Sequence, residues 1–142
     1  MKRIYIPGIP DTKMRPRTTK RGHVYDPNAQ AKEASIQKAE LMGDRQVYTG
    51  PIEIEFSFVF PRPKSHFRTG KNAHMMRDDA PVHCVNKKDL DNMEKFYADA
   101  FNFIQWADDC QIVKSSAVKR WADGGEVPHV LILAVELGES VR

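Results

Sequence analysis

Five aspartates and one lysine are gathered in a short stretch of this 142-residue chain: Asp89, Asp91, Lys95, Asp99, Asp108 and Asp109. Carboxylates held close together repel one another, and some stay protonated unless a cation offsets their charge. As hard oxygen donors they suit Mg²⁺, with Mn²⁺ as a possible substitute, rather than zinc. Mg²⁺ usually keeps several waters, which leaves room for a phosphate oxygen and an attacking water. The chemistry that follows is phosphodiester cutting, with Lys95 facing the phosphate or the nucleophile.

The spacing says which element must carry these groups. Asp89 and Asp91 flank Leu90, so in extended chain both carboxylates point to one face. If a helix begins near Leu90, Asp91 falls in its first turn, where free backbone N–H groups and the dipole favour an anion. Asp91, Lys95 and Asp99 are four apart and share a stripe. Leu90, Met93, Tyr97, Ala100, Phe101 and Ile104 fall on the opposite stripe and are predicted to pack inward. Returning Asp108 and Asp109 to the Asp89 end is left to the fold. The bland reading is a solvated acidic helix start, in which Asp91 and Lys95 form an i,i+4 pair worth about 0.2–0.5 kcal/mol.

The formal charge of +3 is unevenly spread. Lys13, Arg15, Arg17, Lys20 and Arg21 fall in one segment without an acid; Arg62, Lys64, Arg68, Lys71 and Arg77 fall in another. With Lys87 and Lys88 they would draw a polyanion onto an acidic centre, and the affinity would fall steeply with salt. Proline between the cations of Arg15-Pro16-Arg17 and Arg62-Pro63-Lys64 stiffens the display.

The remaining elements are read from periodicity and breakers. Arg3 to Ile6 is predicted as a strand ended by Pro7-Gly8, and Thr12 to Tyr25 as a basic loop or loose hairpin. Asp26-Pro27 signals a helix start and Gly43 a stop, for a surface helix of roughly sixteen residues. Ile52, Ile54, Phe56, Phe58 and Phe60 alternate with Glu53, Glu55, Ser57 and Val59, the clearest strand in the chain. Residues 61–86 lack periodicity and are expected to form a mobile DNA-contacting loop that orders on binding. Gln111 to Trp121 and Pro128 to Leu137 are predicted as two strands of a hairpin joined by residues 122–126, the second strand central.

Together these predict one domain, 1–142, of α+β class, with a mixed sheet of about four strands and two main helices. No apolar run is long enough to span a membrane and no signal peptide is visible. Cys84 and Cys110 alone suggest a reduced, cytoplasmic setting. His23, His66, His74, His83 and His129 lack zinc-ligand spacing.

The run Lys88-Asp89-Leu90-Asp91-Asn92, then Lys95, Asp99-Ala100-Phe101 and Asp108-Asp109-Cys110-Gln111-Ile112, resembles the signature of RusA-type Holliday junction resolvases. Pro61-Arg62-Pro63-Lys64-Ser65-His66-Phe67 and Lys13-Met14-Arg15-Pro16-Arg17 are similar to segments of phage-type members. Phe101 and Phe103 depart from it, standing where the family usually has leucine and, often, glycine. The resemblance implies catalytic roles for Asp89, Asp91, Lys95 and Asp109, with Asp99 and Asp108 as secondary candidates. It further implies Mg²⁺ held by Asp89, Asp91 and Asp109, branched DNA as substrate, and a homodimer. Two-fold symmetry suits the last point, since a four-way junction must be nicked on two opposed strands. A non-cleaving branched-DNA-binding accessory protein of replication or recombination is the alternative, though a pure binder gains nothing from an acidic patch facing phosphates. A nucleotide phosphohydrolase is a third reading, disfavoured by the lack of Glu-x-x-Glu pairs.

Overall fold

A computed structural model describes residues 1–13 and 17–138. In chain order these form β1 (Lys2–Pro7), β2 (Arg17–Thr18), β3 (Val24–Tyr25), α1 (Ala29–Lys38), β4 (Glu40–Gly43), β5 (Ile52–Phe60), α2 (Leu90–Ala100), β6 (Ile112–Trp121) and β7 (His129–Glu136). The main sheet runs β4-β1-β7-β5-β6, and β2 and β3 pair as the loose hairpin expected between Thr12 and Tyr25. The fold is α+β with a mixed sheet, since β5 and β6 are parallel and the other neighbours antiparallel.

The sheet has five strands where the sequence predicts about four, and the extra strand comes out of the first predicted helix. That helix covers only Ala29–Lys38. Asn28 is its N-cap, and Asp26 instead accepts the Asn28 N–H at 2.8 Å in a local turn. Ala39 turns extended, at φ −65° and ψ 130°, so Glu40–Gly43 leaves the helix and pairs with β1. Gly43 ends a strand rather than a helix. Its φ of 93° is open to glycine, and a side chain there would run into the Met1 carbonyl.

The predicted hairpin between the last two strands is also overturned, because β5 lies between β6 and β7. The physical reason is burial. Ile52, Ile54, Phe56, Phe58, Val59 and Phe60 are all buried, so β5 is stable only with a neighbour on each edge. β6 takes the outer edge, where Val113, Lys114, Ser115 and Ser116 are exposed. β7 occupies the middle of the sheet, as its apolar run predicts. The connection between β6 and β7 is closed by Arg120, whose guanidinium grips both oxygens of Glu126 at 2.6 and 2.7 Å.

Helix α2 lies in the crossover from β5 to β6. It buries Met93, Phe96, Tyr97, Ala98 and Ala100, with the Tyr97 ring 5.8 Å from Phe58 on β5. Each large side chain buried in this way contributes about 1.5–3 kcal/mol. Phe96 and Ala98 broaden the predicted inward stripe, while Ile104, expected to be inside, is exposed. Helix α1 packs on α2 and on β1. The 61–86 segment has structure of its own: 3₁₀ turns at Lys64–His66 and Gly70–Asn72, a bridge between Phe67 and Met76, and another pinning His83 to Arg120 of β6. Among the described residues no helix is long and apolar enough to cross a membrane.

Just past α2, wholly buried Trp106 donates from its indole N–H to the Ala98 carbonyl at 3.0 Å, folding the chain back on the helix. The turn this demands puts Phe103 at φ 68°, with its ring 82 % exposed. A left-handed backbone costs an L-residue about 1–2 kcal/mol, and the exposed ring recovers little by packing. Phe103→Gly loses about 0.4–1 kcal/mol through the freer unfolded chain. The net expectation is a gain of up to about 1 kcal/mol, or a rise of roughly 3 °C in Tm. A thermal melt showing a lower Tm would contradict this account of the turn.

Candidate active site

The site is built on the exposed side of α2. Asp89 is the N-cap residue, with extended φ −71° and ψ 132°, and its Oδ2 accepts from the Asn92 side-chain amide at 3.3 Å. Asp91 lies in the first turn, and its Oδ2 is 3.9 Å from the Lys95 ammonium one turn on. Both are well exposed, so the pair itself adds little stability. These groups stand on a helix locked to the sheet by its buried side, which fixes their direction.

The third member of the stripe has another partner. Lys32 of α1 donates to Asp99 Oδ2 and to Asp26 Oδ2, each at 2.6 Å, and Lys13 stands 4.0 Å from Asp99. Asp99 thus ties α1 to α2.

Asp108 and Asp109 enter on a tight turn. The Asp108 N–H donates to Gln111 Oε1 at 2.7 Å and the Asp108 carboxylate accepts from Cys110 N–H at 3.4 Å, a reciprocal capping box. Gln111 then donates from Nε2 to the carbonyls of Tyr48 and Gly50 at 2.9 and 2.8 Å. This explains the Asp-Asp-x-Gln spacing. The first aspartate shapes the turn, the glutamine ties it to residues 48–50, and the second aspartate is presented outward. The Tyr48 end is itself anchored by buried Lys2, which donates to Asp44 O, Gln46 O and Gln105 Oε1 and lies 4.6 Å over the Tyr48 ring.

Lys95 and Asp109 meet across a small pocket of about 170 Å³, lined also by Glu94, Ala98, Phe56, Ile112 and Ser115. Partial burial, a hydrogen bond with Asp108 and the charges of Asp108 and Asp99 push the Asp109 carboxyl up, while that hydrogen bond holds Asp108 down. Glu94 is pushed up by burial and by Asp91, against a hydrogen bond from Ser115. Sequence reading missed Glu94. The available signal was its place three residues after Asp91, on the same face of the helix.

The segment leading into Asp89 is held by a lysine that sequence reading also missed. Lys119 of β6 donates to Asn86 O at 3.2 Å, Asn86 Oδ1 at 3.0 Å and Lys88 O at 2.8 Å. Its position on the strand gives no sequence cue.

The structure joins Asp91, Lys95 and Asp109 to one face, with Asp109 beside the Lys95–Asp99 half of α2 and Asp89 at its start. Among the described residues no three His, Cys, Asp or Glu side chains come close enough to hold a metal ion. The donors nevertheless suit a hard divalent cation. They are all carboxylates; burial is the main cause that raises Glu94 and Asp109, and the smaller repulsion added by Asp91 on the one and by Asp108 and Asp99 on the other is what a cation relieves.

The basic residues differ in how freely they are displayed. Lys20, Arg21, Lys64, Lys71 and Lys87 are exposed. Arg68 pairs with Asp78 at 3.3 Å, and Arg62 donates to the Pro81 carbonyl at 2.8 Å. Arg15 lies outside the described residues, as does the side chain of Arg17.

A mixed sheet backing a helix that presents carboxylates and a lysine, with an acidic turn beside them and exposed cations in the loops, defines a nuclease-type α+β domain. The family model for endodeoxyribonuclease RusA matches residues 7–132, and the chain belongs to that family. It is an enzyme of the Holliday junction resolvase kind, from a family whose nucleases generally depend on a divalent metal. Comparison with curated proteins gave no match.

Proposed function

We propose that this protein resolves four-way DNA junctions by paired symmetric nicks, in recombination and repair, as a homodimer dependent on Mg²⁺ with Mn²⁺ as substitute. The observation that carries the reading is the meeting of Lys95 and Asp109 in one pocket beside Asp91 on a rigid helix. Asp89, Asp91 and Asp109 are the proposed metal ligands, with Glu94 and Asp108 flanking them. The bound ion would supply Lewis-acid polarisation of the scissile phosphate and a more acidic water.

The chain's own groups do the rest. Lys95 donates to a non-bridging phosphate oxygen and offsets charge as it builds. Asp89 and Asp91 are exposed at the start of the helix, where a metal ion can reach them, whereas Asp109 is oriented by the capped turn. Lys13, Lys20, Arg21, Lys64, Lys71, Lys87 and Lys88 hold backbone phosphates, which positions the junction by charge and shape more than by base identity. The 61–86 segment lies against DNA and shifts as it binds. Two subunits related by a two-fold axis place two such sites on opposed strands.

Gel shift and cleavage on a synthetic four-way junction, with and without Mg²⁺, test this in one experiment. Binding in both conditions with symmetric cuts only in Mg²⁺ is expected. Binding without cuts in any divalent metal would leave the accessory-protein reading instead.

A further inference from the structure

A second cavity, about 450 Å³, is walled in part by Asn86 and Lys88 of the segment that leads into Asp89. Its apolar surface comes from Trp121, Phe60, Pro61, Pro63 and Ile9, and its cations are Arg62 and Lys88; among the described residues no acidic side chain lines it. The walls are set in advance. The Trp121 indole N–H donates to the His83 carbonyl at 3.1 Å, and the ring takes His66 edge-on at 5.0 Å. Arg62 is held by Pro81 O, and Lys119 fixes both Asn86 and the Lys88 carbonyl. Lys88 directly precedes Asp89, so the cavity adjoins the Asp89 end of the proposed cutting site.

Flat apolar faces with two cations at the rim suit a ligand that is planar and apolar at one end and anionic at the other. Within duplex DNA a base hides both faces in the stack, so such a ligand is available only where pairing is broken. The crossover of a four-way junction is where breaking a pair costs least. The volume lies within the roughly 300–1,000 Å³ usual for small-molecule sites and accommodates one nucleotide.

We propose that this cavity takes one unpaired nucleotide flanking the scissile phosphate, its base against Trp121 and the two prolines and its phosphate between Arg62 and Lys88. The assignment rests on the junction-cutting reading and narrows it. Recognition then includes a base drawn out at the crossover, in addition to backbone charge.

The test is a cycle between protein and DNA. Junctions carrying a single abasic residue at each position flanking the cut are compared with the intact junction, for the parent and for Trp121→Ala, by gel shift and cleavage. At one position the affinity ratio of intact to abasic junction should fall about 5-fold or more on replacing Trp121, the lower end of base–aromatic stacking. Ile9→Asp, at a residue 59 % exposed, places a negative charge at the same opening without disturbing the core. It should lower intact-junction affinity and reduce the same ratio. A junction bound and cut normally, with that ratio unchanged by both substitutions at every position, overturns the cavity assignment alone. A parent protein that neither binds nor cuts the intact junction overturns it together with the reading beneath it.

Discussion

Asp91→Asn should reduce junction cleavage in Mg²⁺ by about 10³-fold or more while leaving junction binding unchanged or tighter. The magnitude follows from removing one charged ligand from a site that supplies several kcal/mol of transition-state stabilisation, at about 1.36 kcal/mol per factor of ten. The substitution keeps size and exposure, since Asp91 is a solvent-facing residue whose one ion pair among the described residues is the 3.9 Å contact to Lys95. Folding is therefore spared. Binding improves because a negative charge facing phosphates is lost while the surrounding cations remain. Cleavage kinetics and gel shift on the same junction check both halves. Cutting at the parent rate would remove Asp91 from the proposed metal site, and a matching loss of affinity would recast it as a positioning group.

How much of this was legible beforehand depends on whether a feature is local. The alternation from Ile52 to Phe60 and the 3.6-residue stripe of α2 are local; the strand stands where it was read, and the helix starts where it was read but ends at Ala100, short of Ile104. Helix α1 was read too long because Gly43 is equally good at ending a helix or a strand. Only pairing with β1, distant in sequence, decides between them. The hairpin failed for a similar reason. Two neighbouring strands with a polar linker do pair in most chains, but here a more apolar strand took the place between them. At the site, the positions of Asp91 and Lys95 followed from spacing alone. Asp99 has the same spacing and faces Lys32, which no periodicity on α2 could show. Gln111 was visible as part of a motif, but its function as a tether to Tyr48 and Gly50 requires the fold.

Lys119 is the clearest case of chemistry written only in three dimensions, and its removal carries the second large expected effect. Its ammonium is the shared donor for two carbonyls and one side-chain oxygen in residues 86–88, directly before Asp89. Lys119→Met keeps most of the stem and removes that donor, so the segment loses its tether to β6 and Asp89 its fixed approach. Losing a partner that orients a metal ligand typically costs 10–100-fold in metal affinity or activity. Cleavage at limiting Mg²⁺ should fall by about that factor. The concentration of Mg²⁺ at half-maximal rate should rise with it, and saturating metal should restore part of the loss. A general loosening of the fold would instead lower Tm and cleavage at every metal concentration alike. Lys119→Arg keeps the charge with a different donor geometry and should recover part of the activity. A metal-dependence curve for Lys119→Met superimposable on that of the parent would show that Asp89 needs no tether from β6.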